Sequence, residues 1–118
     1  MENEQQAHIY GVAEINQIIK NLLDGTPFFK RVYVRGELSN YKIYPSGHHY
    51  FTLKDPEGVL RCVMFRSHAA KLRFRPENGM KVILCGQITV FPGTDNIRCT
   101  ARPSRRKAWA ICMSPMNS

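Results

Sequence analysis

Apolar and polar residues alternate along two neighbouring segments, 46–55 and 59–66, and a short run of turn residues separates them. Within that run Pro56 presets its own φ and Gly58 tolerates positive φ, so the chain can reverse there. Since successive side chains of a strand point to opposite faces, the alternation predicts a β-hairpin with an apolar and a polar face. The predicted apolar face contains Phe51, Leu53, Leu60, Cys62 and Met64, and the other contains His48, Tyr50, Thr52, Lys54, Arg61, Val63 and Phe65, with Arg66 at the strand end.

A helical pattern precedes the hairpin. In residues 12–24 apolar side chains recur three and four positions apart, which predicts an amphipathic helix that Gly25 and Pro27 end. We expect its apolar stripe to pack on a sheet as a lid, with partner binding as the alternative. The stripe contains Val12, Ile15, Ile18, Ile19, Leu22 and Leu23.

The other segments predict further strands and one short helix. A strand is expected at 31–38, followed by a mobile loop at 39–47. Ser67 is expected to cap a short helix at 67–74, and a long strand is expected at 80–91. A fifth strand would then follow a turn that begins at Pro92.

This order of elements predicts a mainly β fold with short helices. It matches an OB-fold, a small five-stranded Greek-key barrel, preceded here by an N-terminal amphipathic helix. At 118 residues the chain is expected to form one such domain. In this fold the face of strands two and three, with the neighbouring loops, binds oligonucleotides.

The polar face of the hairpin combines rings with cations. Aromatic rings stack on bases while Lys and Arg contact phosphates, so this pattern favours nucleic-acid binding. An ordinary half-solvated sheet face is the alternative, since rings and cations occur on many sheets. The candidate nucleic-acid-binding residues are Tyr41, Lys42, Tyr44, His48, Tyr50, Lys54, Arg61, Phe65, Arg66 and Phe91.

The charge and the cysteine content indicate which kind of partner and which cellular compartment to expect. The chain has 17 Lys and Arg against 9 Asp and Glu, for a net charge of +8, which suits a polyanionic partner. No apolar run approaches the length of a membrane helix, and the 4 cysteines lack close Cys-x-x-Cys spacing. We therefore expect a cytoplasmic protein with free, buried thiols and no membrane partner.

No catalytic or metal constellation is visible in the sequence. His48 and His49 are adjacent, so a regular strand sends them to opposite faces. The acidic residues are scattered singly, whereas nuclease sites generally cluster carboxylates around a metal ion. We expect no catalytic residue, no metal and no cofactor in this chain.

Several motifs in fixed order resemble the amino-terminal domain of the large subunit of bacterial exodeoxyribonuclease VII, over about residues 9–93. The resemblance implies an OB-fold that holds single-stranded DNA for a catalytic domain absent from this chain. It further implies a parent enzyme that assembles with several copies of a small subunit. The motifs are Val12-Ala-Glu-Ile-Asn through Lys20-Asn-Leu-Leu, Val34-Arg-Gly-Glu-Leu-Ser-Asn-Tyr41, Ser46-Gly-His-His-Tyr-Phe-Thr-Leu-Lys-Asp55, Val63-Met-Phe-Arg66 and Leu72-Arg-Phe-Arg-Pro-Glu-Asn-Gly-Met-Lys-Val82.

The resemblance stops near Thr94, where family members continue with a strand similar to Gly-Gln-Tyr-Gln-Val-Tyr. Suitable codons for 94–100, read one nucleotide early, give that strand, and the same shift at 109–118 gives Met-Gly-Asp-Leu-Tyr-Val-Ala-Tyr-Glu-Gln. We therefore predict a shifted reading frame from about codon 94. The substitute fifth strand offers only Ile97, Cys99 and Ala101 at alternating positions before Pro103.

The predicted organisation is a flexible tail at 1–8, the OB-fold domain at 9–101 and a non-native, basic tail at 102–118. A defective fifth strand would close the barrel poorly and leave edges on strands one and four, which favours a homodimer or a strand swap. Two alternative functions remain open at this point. They are an RNA- or tRNA-binding OB-fold module, and a protein-docking or oligomerisation domain that uses the helix or an open edge.

Overall fold

The computed structural model describes residues 7–90, 97–102 and 113–115. Within them, helix α1 and a 3-10 helix precede three strands, helix α2, and three further strands. The bounds are α1 Val12–Asp24, the 3-10 helix Pro27–Lys30, β1 Val32–Ile43, β2 His49–Asp55, β3 Gly58–Met64, α2 Arg66–Ala69, β4 Lys81–Val90, β5 Ile97–Ala101 and β6 Met113–Pro115.

Five strands form a closed barrel in the order β1-β2-β3-β5-β4, and β4 pairs back onto β1. All of these neighbours are antiparallel except β3 and β5, which run parallel. The strand β6 was not predicted, and it extends the line of β5 along β4, where Met113 pairs with Leu84. The five-stranded barrel with an N-terminal helix that the sequence predicts is confirmed.

The barrel interior is built from the alternating apolar positions of the strands. Phe51 and Leu53 of β2 are buried as predicted, and Leu60 packs against the same core while half-buried. Val63 is also fully buried, although alternation placed it on the polar face, where it lies between Tyr50 and Thr100 of the flanking strands. The buried core cluster contains Leu38, Phe51, Leu53, Cys62, Met64, Val82, Leu84, Cys99, Ala101 and Met113.

The expectation of poor barrel closure is wrong for the described residues. Strand β5 pairs with both β3 and β4, and both edges of β1 are occupied, by β2 and β4. Closure succeeds because backbone bonding needs no particular side chains, while the inward residues Cys99 and Ala101 are small enough to be fully buried. The open edges on strands one and four, from which we expected a homodimer or strand swap, are therefore absent from this part of the chain.

The predicted loop at 39–47 is largely strand. Strand β1 continues to Ile43, with an irregularity in its pairing to β2 between Ser39 and Lys42. Asn40 has a φ of 52°, so the chain bulges there and then resumes alternation. A tight turn follows, in which the Gly47 amide donates to the Tyr44 carbonyl over 2.8 Å.

Helix α1 has the predicted bounds but does not pack as the predicted lid. Its half-buried positions are Asn16, Lys20, Leu23 and Asp24, so a mainly polar side faces the barrel. The Thr89 hydroxyl on β4 donates to Asp24 over 2.9 Å, which fixes that side of the helix. Most of the apolar stripe therefore faces away from the barrel.

The short helix after the hairpin is one turn long rather than spanning 67–74. It begins with Phe65 at the N-cap position, and no side chain makes a cap hydrogen bond, so the predicted cap at Ser67 is wrong. Leu72 and Phe74 both pack against the core, and a spacing of two residues suits an extended chain better than a helix.

Candidate nucleic-acid interface

A groove of about 360 Å³ lies across the outer surface where β1, β2, β3 and β5 meet. After the bulge at Asn40, the side chain of Lys42 points away from the core. Alternation along β2 and β3 also points Tyr50 and Arg61 outward. We call this the barrel groove. Its lining residues are Asn40, Lys42, Tyr44, Tyr50, Phe51, Thr52, Arg61, Cys62 and Arg98.

Two tyrosine rings form the aromatic part of the barrel groove. The ring centroids of Tyr44 and Tyr50 are 4.8 Å apart, and the ring planes are inclined by 53°. Tyr44 is held by its own backbone, since its amide donates to the carbonyl of His48 over 3.0 Å. Tyr44 is 48% exposed, so its ring can accept a flat partner.

Three cations surround these rings. Lys42 is the cross-strand partner of Tyr50, and Arg61 of β3 is in register with Arg98 of β5. Among the described residues that line the barrel groove there is no carboxylate. The groove therefore presents positive charge next to exposed aromatic surface, which suits a polyanion with planar groups.

His48, Phe65 and Arg66 form a second cluster beside the turn that holds Tyr44. The rings of His48 and Phe65 meet edge to face at 5.2 Å. The backbone N–H of Arg66 donates to Nδ1 of His48 over 2.9 Å, so the ring proton of the neutral imidazole is on Nε2. These three predicted residues lie together at one end of the barrel groove, although none of them lines it.

The structure separates two predicted residues from the barrel groove. Lys54, at the far end of β2, lines a different depression of about 350 Å³ with Arg35 and Lys81. Tyr41 points to the core, where its ring stacks on Phe51 with centroids 4.9 Å apart, and its hydroxyl meets Nδ1 of His49 at 2.6 Å. Phe91 lies outside the described residues.

Sequence reasoning missed three polar residues that line the groove, besides the core residues Phe51 and Cys62. Alternation itself places Thr52 beside Tyr50, so the pattern contained that signal. Asn40 could not be found because a bulge changes which residues share a face. Arg98 could not be found because its position beside Arg61 depends on parallel pairing between β3 and β5.

The titratable groups near the core are suited to structure rather than to catalysis. Burial lowers the pKa of His49, so this imidazole is neutral near pH 7. A hydrogen bond with Cys99, together with burial, raises the pKa of the Cys62 thiol well above its ordinary value. Within 7–90, 97–102 and 113–115, no group of three His, Cys, Asp or Glu is placed to hold a metal ion.

Comparison with known families identifies the fold. A family model described as an OB-fold nucleic acid binding domain matches residues 10–103. The chain belongs to this family. The OB-fold assignment agrees with the closed barrel and with a groove on the surface of β2 and β3.

Curated relatives of this OB-fold chain are large subunits of exodeoxyribonuclease 7. The subunit from Ruminiclostridium cellulolyticum is 53% identical over 83 residues, which is 70% of this chain and 20% of the relative. That from Clostridium acetobutylicum is 45% identical over 94 residues, 78% of this chain and 24% of the relative. The chain thus spans about a fifth to a quarter of the length of the relatives it matches.

Solved structures support the same fold at low sequence identity. A replication protein A heterotrimer bound to ssDNA aligns with a TM-score of 0.55 and 13% identity, over 81% of this chain and 64% of that chain. The SSB domain of a Synechococcus protein aligns with a TM-score of 0.50 and 12% identity, over 65% of this chain and 94% of that chain. None of the helices in the described part of this OB-fold chain is long and apolar enough to cross a membrane.

Proposed function

We propose that the barrel groove binds single-stranded DNA with little sequence preference. The observation that carries this proposal is the pair of neighbouring rings, exposed Tyr44 and half-buried Tyr50, set between Lys42, Arg61 and Arg98. Unpaired bases stack on such rings whatever their identity, because every base has a π-face, and the cations contact the phosphates. A duplex keeps its bases stacked inside and gains only the phosphate contacts.

The cluster of His48, Phe65 and Arg66 extends the proposed path beyond the barrel groove. It lies next to Tyr44 through the hydrogen bond from the Tyr44 amide to the His48 carbonyl. Phe65 is 38% exposed and supplies another stacking surface, while Arg66 supplies another cation. A DNA strand that continues past Tyr44 therefore meets another aromatic ring and another cation.

The similarity to exodeoxyribonuclease 7 large subunits supports a role within a nuclease. In this role the OB-fold positions single-stranded DNA for exonucleolytic degradation to oligonucleotides by a catalytic domain outside this chain. The chain itself is not an enzyme and needs no cofactor. In the parent enzyme its partners are that catalytic domain and several small subunits, and the complex acts in the cytoplasm.

A fluorescence anisotropy titration tests the DNA proposal. The chain is titrated into labelled single-stranded and double-stranded DNA of one sequence over a range of salt concentrations. We expect preference for the single strand and an affinity that falls steeply with salt, since phosphate contacts release counterions. Equal binding of both forms contradicts the proposal, and matched RNA separates a DNA-directed from an RNA-directed module.

Arg61→Ala tests whether the barrel groove is the binding surface. Loss of one phosphate contact on a single strand lowers the slope of log K against log salt by about 0.7. Arg73→Ala is the matched control, because Arg73 is exposed and does not line the groove. Unchanged affinity after Tyr50→Ala combined with Arg61→Ala would remove this face from consideration.

A further inference from the structure

The apolar stripe of α1 has no described element packed over most of it. Val12 is 77% exposed and Leu22 is 65% exposed, while the three isoleucines between them, at 15, 18 and 19, are exposed by 37% to 39%. These five side chains expose on the order of 500 Å² of apolar surface, near the upper end of the 300 to 600 Å² usual for the largest patch on a monomer.

Two further exposed apolar side chains lie before the helix in the chain. Ile9 is 90% exposed and Tyr10 is 48% exposed, and Gly11 separates them from α1. Without these two residues, burying the roughly 500 Å² of stripe surface on each of two copies removes about 1,000 Å² in all, the lower limit for a biological interface. The area is therefore sufficient for a specific protein contact.

The spacing of the stripe selects a helix as the partner element. Val12, Ile15, Ile19 and Leu22 are separated by three, four and three residues, which is the a and d spacing of a coiled-coil seam. A second helix with the same spacing fills such a seam by packing its side chains into the holes between four residues of the first.

The stripe is also complementary to itself. Its four seam positions are symmetric about Gln17, so an antiparallel copy of α1 places Val12 opposite Leu22 and Ile15 opposite Ile19. Such a contact uses the same patch on both copies, as a two-fold dimer requires. We propose that two copies of this chain dimerise through antiparallel packing of their α1 helices.

The proposed dimer leaves the nucleic-acid surface accessible. Helix α1 is attached to β4 by the bond from Thr89 to Asp24, whereas the barrel groove lies over β1, β2, β3 and β5. Each chain carries a net charge of +8, so the two copies repel each other at long range. Added salt screens this repulsion and strengthens the dimer, whereas it weakens DNA binding.

Sedimentation velocity over a concentration series, at low and at high salt, tests the dimer with the full chain. We expect a monomer–dimer equilibrium that shifts toward dimer as salt rises. Val12→Glu and Leu22→Lys are each expected to weaken dimerisation by about tenfold or more, because each places an unpaired charge in an apolar contact. Gln17→Glu is the control for a new charge on the exposed polar side of α1.

The orientation has its own test. In an antiparallel pair the double variant, Val12→Glu with Leu22→Lys, places opposite charges face to face at both ends, so dimerisation is expected to recover. In a parallel pair like charges meet, and no recovery occurs. A wild-type chain that remains monomeric at the highest concentration in high salt, with α1 helical by circular dichroism, overturns the proposal, and so does a double variant that does not recover. We expect the DNA affinity to be unchanged in every variant, so a failure of the dimer proposal can be told apart from a failure of the groove proposal.

Discussion

Tyr44 and Tyr50 place their ring centroids 4.8 Å apart across the turn between β1 and β2, with ring planes inclined by 53°. Neighbouring rings that are tilted rather than parallel do not cover each other's faces, so each ring keeps a face for a further planar group. Lys42 lies directly across from Tyr50 in the β1–β2 ladder. In the proposed complex, a base stacked on Tyr50 therefore has a cation near its phosphate.

Replacing Tyr50 with Ala is expected to weaken single-strand binding by about 1 to 3 kcal/mol, which is roughly 5- to 150-fold, because one stacking surface is lost. Tyr50→Phe keeps the ring and is expected to keep most of the affinity. Tyr10→Ala is the control for losing a tyrosine ring elsewhere, since Tyr10 is exposed and lies before α1, outside the barrel groove. Anisotropy titrations measure all three, and an equal loss with Tyr10→Ala contradicts stacking at Tyr50.

The hairpin could be predicted from the sequence because its faces depend only on alternation. Phe51 and Leu53 are buried and Tyr50 and Arg61 line the outer groove, as a period of two residues requires. Beyond Ser39 the same rule fails, because the bulge at Asn40 changes which side chains share a face. Tyr41 was therefore placed among the ligand-facing residues although it packs against the core.

The packing of helix α1 shows a second limit of prediction from the sequence. Its apolar period fixes that a stripe exists and where the helix ends, but periodicity does not specify what covers the stripe. The bond between Thr89 and Asp24 joins residues 65 positions apart, and it turns a mainly polar side of α1 to the barrel. No local pattern contains such a long-range contact, so the lid was a reasonable but incorrect expectation.

Gly86→Ala is expected to destabilise the barrel at the point where β4 meets both β1 and β5. A Cβ atom at this position would lie 2.9 Å from the Thr100 carbonyl oxygen and closer still to Sγ of Cys99. Because the obstacle includes backbone, relief requires β5 to move, and overpacking of this kind costs about 1 to 3 kcal/mol. Urea unfolding measures the loss.

Gly58→Ala is the control for the effect of adding a methyl group to a glycine. The atom nearest to a Cβ there is Oδ1 of Asp55, at 4.0 Å, so the new group has room. We expect little change in the free energy of unfolding. If Gly86→Ala is as stable as Gly58→Ala, then close packing of β5 on Gly86 does not limit closure of the barrel.

The attachment of α1 to the barrel predicts a pH dependence of stability. Hydrogen bonds from Lys20, and then from the Thr89 hydroxyl, lower the pKa of Asp24 below its ordinary value of 3.8. A lowered folded-state pKa stabilises the protein above pH 3.8, and this contribution is lost as the pH falls through the folded-state value. With Asp24→Asn, the free energy of unfolding is expected to fall less steeply as the pH drops below 3.8. Urea unfolding at a series of acidic pH values measures this dependence. Identical acid limbs for both proteins contradict the role of Asp24.

The C-terminal part of the chain predicts a one-nucleotide insertion or deletion near codon 94 of the gene. One shift restores strand-like Gly-Gln-Tyr-Gln-Val-Tyr from 94–100 and a second family-like segment from 109–118, and chance rarely restores two separate stretches together. The nucleotide sequence of the source gene checks this directly, and an intact frame across codon 94 contradicts it.

Arg98 belongs to the shifted segment, so a frame-restored chain loses this cation beside Arg61. For single-stranded DNA, the slope of log K against log salt is expected to be shallower by about 0.7 in the frame-restored chain. We expect β5 to persist there, because the restored segment is rich in strand-forming residues.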